Sequence, residues 1–499
     1  MKNRVQLITY IDRLANNVQG LRRLLNGALS GLFGGVHLLP FFHPIDGADT
    51  GFDPIDHTEV DSRLGSWDDV RALGQDVELV ADLIVNHISS NSPQFKDFSR
   101  NGASSRFAGL FLTYEGVFPS GAREADLLRI YRPRPGLPFT NATLQCGEKH
   151  LLWTTFTSQQ IDIDVKHPEG LAYLKSILGR FREAGVRMIR LDAVGYAIKK
   201  PGTSCFMIPE TFEFIVELTS QAHALAMEVL VEIHTYYVQQ IQIAQQVDWV
   251  YDFALPPLVL HSLFARNAEA LGRWLSVRPQ NCVTVLDTHD GIGVIDVGAG
   301  TDGAPGLLSP PEIDRLVETM HERSQGQSGM ATGAAANNLD LYQVNCTFYD
   351  ALGRDDNEYL IARAIQFFVP GIPQVYYVGL LGGTNDMDLL ARTRVGRDIN
   401  RHYYTASEIE TSLRKPVVRR LIDLMRLRNS HPAFAGRARV ETPTAQQLSI
   451  SWSNADHWAK LDVDLKELRA LITHSDVAGD STVGTWDSQT SATASEAIR

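Results

Sequence analysis

This chain of 499 residues has few cysteines, no apolar run long enough to cross a bilayer, and a deficit of positive charge. The four cysteines, Cys146, Cys205, Cys282 and Cys346, lie far apart with no Cys-x-x-Cys spacing. That spacing excludes a thiolate zinc cluster, and four thiols would be a thin disulfide framework for a chain of this size. Reduced and mostly buried cysteines are expected. Lys and Arg number 46 against 58 Asp and Glu, a formal net charge of −12. Such a balance argues against a general binder of nucleic acid or anionic membrane, although local arginines can still hold a phosphorylated ligand. Met1-Lys2-Asn3-Arg4 runs straight into a strand-like stretch at 5–9, with no signal-peptide apolar region. A cytoplasmic location is therefore expected.

What is present is an ordinary globular composition, 44% hydrophobic and 21% charged, in a chain long enough for a barrel with additions. Apolar strand-like runs alternate with helical patterns. Strands are predicted at 5–9, 36–39, 79–85, 188–191, 229–231, 249–253, 283–286 and 374–377. Helices are predicted at 14–32, 66–73, 170–183 and 211–226. About eight βα units result, the number that closes a barrel. Two stretches interrupt the alternation, 88–164 and 294–353, without sustained helical period. Both follow strands that would deliver them to the catalytic face, as functional loops or small subdomains do. The expected division is barrel at 1–87, 166–293 and 356–435, inserted subdomains at 88–165 and 294–355, and a β-rich module with its tail at 436–499. The last stretch, 480–499, is mainly Ser, Thr, Ala and Gly and is predicted to be mobile.

The candidate chemistry lies just past three of the strands, at Arg190-Leu191-Asp192, Glu232-Ile233-His234 and His289-Asp290. Carboxylates at the C-terminal ends of barrel strands are where such folds build active sites. Three of them suit glycosidic chemistry: one to attack, one to protonate the leaving oxygen, and one to stabilise the developing positive charge.

Several segments then agree with one family. Asp82-Leu83-Ile84-Val85-Asn86-His87, Arg190 to Val194, Val231-Glu232 and Asp287-Thr288-His289-Asp290 resemble the four short motifs of the α-amylase superfamily. The segments 47–57, 131–139, 338–345 and 396–404 resemble sucrose phosphorylases and their close relatives, and the similarity runs from Val5 to about Tyr404. The resemblance implies a (β/α)8 TIM barrel with inserted B and B′ subdomains and a small C-terminal β domain. It also implies double displacement, in which an enzyme-bound glucosyl ester is attacked by inorganic phosphate.

On that reading Asp192 is the nucleophile, Glu232 the general acid/base and Asp290 the stabiliser. Arg190, two residues before Asp192, points to the same side of the strand and is expected to hold its pKa down. By resemblance, Asp49 and Arg397 would grip the far hydroxyls of glucose as an ion pair. His87 and His289 donate to sugar hydroxyls, and Phe52 and Phe156 wall the pocket, with Gln160 and Tyr196 beside them. Arg134 and Tyr342 would serve phosphate on the acceptor side, with Pro133, His234, Leu339, Asp340 and Gln343 around them. Asp82 and Asn86 match positions linked to calcium in true amylases. No metal and no cofactor are expected, because no oxygen-rich ligand loop is evident. Sugar and inorganic phosphate are the expected partners, with the chain a monomer or homodimer. One departure stands out. Arg394-Val395 replaces the two asparagines common in sucrose phosphorylases before Gly-Arg-Asp-Ile-Asn. A guanidinium there suits a phosphate monoester, which makes sucrose 6′-phosphate the expected donor and fructose 6-phosphate the matching acceptor. Plain sucrose, or acceptors such as glycerol or glycerate, remain alternatives, as does a hydrolase or transglucosidase on the same barrel.

Overall fold

Eight parallel strands close on themselves in strict chain order in a computed structural model that describes residues 1–47, 49–133, 136–300, 303–334, 343–476 and 483–489. The strands are β1 (Gln6–Thr9), β2 (Gly35–Leu38), β3 (Glu78–Ile84), β4 (Val186–Asp192), β5 (Glu228–Val231), β6 (Trp249–Asp252), β7 (Cys282–Thr284) and β8 (Ile372–Tyr376). Each falls within two residues of its predicted start. Strands covered on both faces need apolar residues at nearly every position, which is why these runs are continuous rather than alternating.

Val80, Met188, Leu230, Tyr251, Phe253, Val283 and Val285 plug the barrel interior, apart from the larger core between strands and helices. A polar layer lies next to the plug. The Tyr251 hydroxyl meets His37 Nδ1 at 3.3 Å and donates to Gln374 Oε1 at 3.1 Å. Register then sets the site. Arg190 pairs with Asp82 on β3 and with Leu230 on β5, while Leu191 pairs with Val231. Because side chains alternate along a strand, Arg190 and Asp192 share a face, and Glu232 follows the residue level with Leu191.

The helices refine the expectations. The run predicted as one helix at 14–32 is two, Ile11–Ala15 and Val18–Asn26. Asn16 adopts φ 63° and the Asn17 side chain caps the second helix by accepting from Gly20 N–H, a local competition with helix at which asparagine excels. The stretch 294–353 contains a helix, Pro310–Arg323, opened by Ser309 and Glu312 in a capping box. The stretch 88–164 carries a nine-residue helix, Pro93–Asn101, and a hairpin, Phe139–Thr143 with Lys149–Trp153.

The C-terminal residues form an antiparallel sheet of β9 (Arg437–Thr444), β10 (Gln447–Asn454), β11 (His457–Asp464), β12 (Arg469–Ser475) and β13 (Val483–Asp487). Trp452 of β10 donates its indole N–H to Phe368 O at 2.7 Å, fastening the sheet to the buried helix Asp356–Phe368. The ordered strand β13 corrects the reading of 480–499 as uniformly mobile, since Trp486 packs against the core. Residues 477–482 and 490–499 lie outside the described residues. All four cysteines are free thiols, Cys146 exposed and the others buried. Among the described residues, no helix is long and apolar enough to cross a membrane.

Candidate active site

At the C-terminal ends of β4, β5 and β7 lies a cavity of about 150 Å³. Asp192, Glu232 and Asp290 all line it. Asp49, Phe52, His87 and Phe156 form one wall, with Tyr196, His289 and Arg397 around it. His234, Gln343 and Pro133 line the remaining side. Arg190 and Gln160 lie behind this surface, each touching residues that line it. Arg134, Leu339, Asp340 and Tyr342 fall outside the described residues. Ala193, Gly195, Phe206 and Ile233 also line the cavity, and sequence reading missed them. Ala193 follows the candidate nucleophile at φ 54°, a left-handed backbone that costs a non-glycine residue about 1 kcal/mol and is typical of functional sites.

One buried guanidinium organises the carboxylates. Arg190 Nη1 lies 3.2 Å from Asp192, and Nη2 lies 2.5 Å from Glu232. The same Nη1 also pairs with Asp82, which in turn meets His37 Nε2 at 3.2 Å. The expectation that Arg190 depresses the Asp192 pKa is not met. Burial first, and the charge of Glu232 second, push the Asp192 carboxyl well above its ordinary range, with Arg190 pulling the other way. The reason is geometric: a single cation is divided among three acids in a dry site. The pocket thus disfavours charge on Asp192 until something enters to offset it.

Asp290 is the opposite case. Burial opposes its charge, but Arg397, His289, Arg401 and His234 outweigh burial and hold the carboxyl well below the usual range. Arg397 Nη1 lies 2.9 Å from Asp290. Arg401 is almost fully buried, donates to His289 O at 2.8 Å, and lies 3.6 Å from Asp290. Asp290 thus stays ionised without sharing its cations with Asp192.

The opposite wall is largely aromatic, with the Asp49 carboxylate beside it. Phe52 stacks on His289 at 5.1 Å with an 11° interplanar angle, and the Arg190 guanidinium carbon lies 5.6 Å from the centroid of the Phe52 ring. Burial lowers the pKa of both His87 and His289. His87 Nε2 lies 3.0 Å from Phe52 O and 3.1 Å from Gln160 Nε2, and Gln160 reaches Asp49 at 3.5 Å. Phe156 meets His87 and Tyr196 edge-on at 5.4 and 5.2 Å. Such a surface offers apolar faces to a sugar ring and polar edges to its hydroxyls.

Asn86, a position the resemblance ties to calcium, is engaged by a side-chain cation. Lys199 Nζ donates to Asn86 Oδ1 at 2.8 Å and lies 2.7 Å from Asp162. It also donates to Tyr196 O, which anchors the turn carrying the Tyr196 ring. Asp82 is occupied by Arg190 and His37. Arg394 is exposed, at φ 58° on the C-cap of the helix Met387–Thr393, and is not part of the cavity wall. On the acceptor side, Gln343 is delivered by a two-residue bridge in which Gln343–Val344 pairs with Ile292–Gly293.

An eight-stranded parallel barrel with three carboxylates at the strand ends defines an α-amylase-type catalytic domain, and the family Alpha amylase, catalytic domain, matches residues 31–256. A sucrose phosphorylase from Agrobacterium vitis is 63% identical over 476 residues, covering 95% of this chain and 98% of that one. Another from Bifidobacterium adolescentis is 50% identical, with coverage of 96% and 97%. The crystal structure of sucrose 6F-phosphate phosphorylase from Thermoanaerobacter thermosaccharolyticum superposes with a TM-score of 0.89 at 37% identity, covering 97% of this chain and 98% of that one. This chain belongs to the sucrose phosphorylase family of glycosyltransferases.

Proposed function

We propose that the protein is a retaining α-glucosyl phosphorylase that converts sucrose and inorganic phosphate, reversibly, to α-D-glucose 1-phosphate and fructose. The observation that carries this reading is the pair Asp192 and Glu232, held by the two ends of one buried guanidinium at the cavity floor. In the first step an Asp192 oxygen attacks the anomeric carbon of glucose. The bond to the fructosyl oxygen breaks, its electron pair leaves with that oxygen, and Glu232 supplies the proton. Attack needs Asp192 as the carboxylate and Glu232 carrying the proton that the departing oxygen takes. In the second step a phosphate oxygen attacks the same carbon. The ester bond breaks, its electrons return to Asp192, and the phosphate proton passes to Glu232. Asp290, ionised through Arg397 and Arg401, stabilises the oxocarbenium-like charge in both transition states.

The argument for sucrose 6′-phosphate rests on Arg394, an exposed side chain outside the cavity wall. A relative named for sucrose at 63% identity, against 37% for one named for the 6F-phosphate, supports the unphosphorylated sugar. A donor panel with inorganic phosphate, read as glucose 1-phosphate, tests both. Sucrose is expected to be the better donor, with Arg394→Ala changing its turnover less than about twofold, as for a surface substitution. A preference for sucrose 6′-phosphate that disappears in Arg394→Ala would restore the phosphorylated reading. Glucose released at a comparable rate without phosphate would instead mark a hydrolase.

A further inference from the structure

Behind His234, on the side away from the cavity, stands a carboxylate with no place in the chemistry above. Asp296 is fully buried, in the short turn Ile295–Val297. Its Oδ2 lies 2.9 Å from His234 Nδ1. Its Oδ1 accepts from Thr235 N–H at 3.1 Å and from Gln240 Nε2 at 2.9 Å. The position is built for close approach: a Cβ on Gly293 would come within 2.6 Å of Asp296 Oδ2 and 3.3 Å of His234 Nδ1. On its flat side the His234 ring stacks on Phe253 at 3.9 Å with an 18° tilt. The ring therefore has one orientation, fixed by a carboxylate, a glycine and an aromatic face.

We propose that Asp296 is the positioning residue of the acceptor step, holding His234 with Nδ1–H directed at Asp296 so that the imidazolium faces the entering phosphate. This deepens the phosphorylase reading and rests on it. His234 lines the cavity, and one of its ring nitrogens lies within 4.8 Å of ligand oxygens of Glu232 and Asp290. Burial works against the charged ring, but Asp296 first, then Glu232 and Asp290, outweigh it and raise the His234 pKa. Among the described residues, the charged groups named against the ring are Glu232 beside it on the same loop, Asp290 after β7 and Asp296 in the turn. Phe253, just after β6, stacks on it, Gln240 of the helix Tyr237–Ala244 shares Asp296 with it, and Gln343 lines the same cavity. An anionic nucleophile entering between Glu232 and Asp290 meets a carboxylate on either side, and a charged His234 ring adds to Arg190 and Arg397 in offsetting them.

The logic of an oriented histidine with a carboxylate behind it makes the two half-reactions separable. Sucrose is neutral and should be indifferent to the ring's charge, whereas phosphate should not be. In the full-length protein, Asp296→Asn is expected to lower kcat/KM for phosphate about tenfold or more, while kcat/KM for sucrose changes less than about threefold. Because a raised histidine pKa keeps the ring charged up to a higher pH, losing Asp296 should move the alkaline limb of the phosphate profile about one pH unit to the acid side. His234→Gln should reproduce the phosphate defect, and the double variant should be no worse than either single one. Should Asp296→Asn fold poorly, His234→Gln and its phosphate profile carry the test alone. Equal losses in both half-reactions with an unmoved pH profile, or additive defects in the double variant, would overturn the proposal. Absence of phosphate-dependent glucose 1-phosphate in the unsubstituted protein would instead remove the phosphorylase reading beneath it.

Discussion

Asp192→Ala is expected to lower turnover of sucrose about 10⁴-fold or more, with every acceptor affected alike. The size follows from the role proposed for the side chain: without it no glucosyl ester forms, and both half-reactions lose their shared intermediate. The remaining wall, including Phe52, His87 and Asp290, should still bind the sugar, so sucrose affinity should fall far less than rate. Stability should move the other way. Burial and Glu232 both disfavour charge on Asp192 in the folded protein, so removing the carboxyl leaves Arg190 to Asp82 and Glu232 and relieves a like-charge contact. Thermal unfolding of the variant should occur at or above the temperature of the parent, the trade expected where an active site stores strain for function. A variant that unfolds earlier and retains turnover in proportion to its folded fraction would reassign Asp192 to structure.

Glu232→Gln separates proton delivery from attack. On sucrose the departing fructose needs a proton, and turnover should fall about 10²- to 10⁴-fold, the span of general acid catalysis. With α-glucosyl fluoride the leaving group needs no proton, so much of that loss should be recovered in the first step. Phosphate can then discharge the ester, because it is itself an anionic nucleophile, whereas water, lacking a base, should do so slowly. The variant should therefore show faster release with phosphate than without it. Equal defects on sucrose and on the fluoride would count against Glu232 as the acid.

Why some of this could be read in the sequence and some could not is a matter of range. The barrel strands were legible because burial on both faces demands continuous apolar runs, and 79–85 or 374–377 can be nothing else in a chain with such flanks. The three carboxylates were legible because they follow those strands at once. The helix Pro310–Arg323 carried a readable start in Ser309, Pro310, Pro311 and Glu312, which the small-residue stretches around it obscured. The partners that set the charge of the site were not legible. Arg401 reaches Asp290 across more than a hundred residues, as Lys199 reaches Asn86. Only closure of the barrel brings them together. The Asp192 pKa failed for the same reason: Arg190 was visible two residues away, but Asp82 and Glu232, which divide its charge, come from the neighbouring strands β3 and β5. Arg394 stands three residues from Arg397 but exposed on the left-handed C-cap of a helix, a placement that nearness in sequence does not give.

The covalent step admits a direct measurement. Glu232→Gln protein mixed with α-glucosyl fluoride in the absence of phosphate, then quenched and digested, should yield a peptide containing Asp192 heavier by one glucosyl residue. Adding phosphate before the quench should remove that mass and release glucose 1-phosphate solely as the α anomer. An unmodified Asp192 peptide under conditions where the fluoride is consumed, or a β-configured product, would contradict the account.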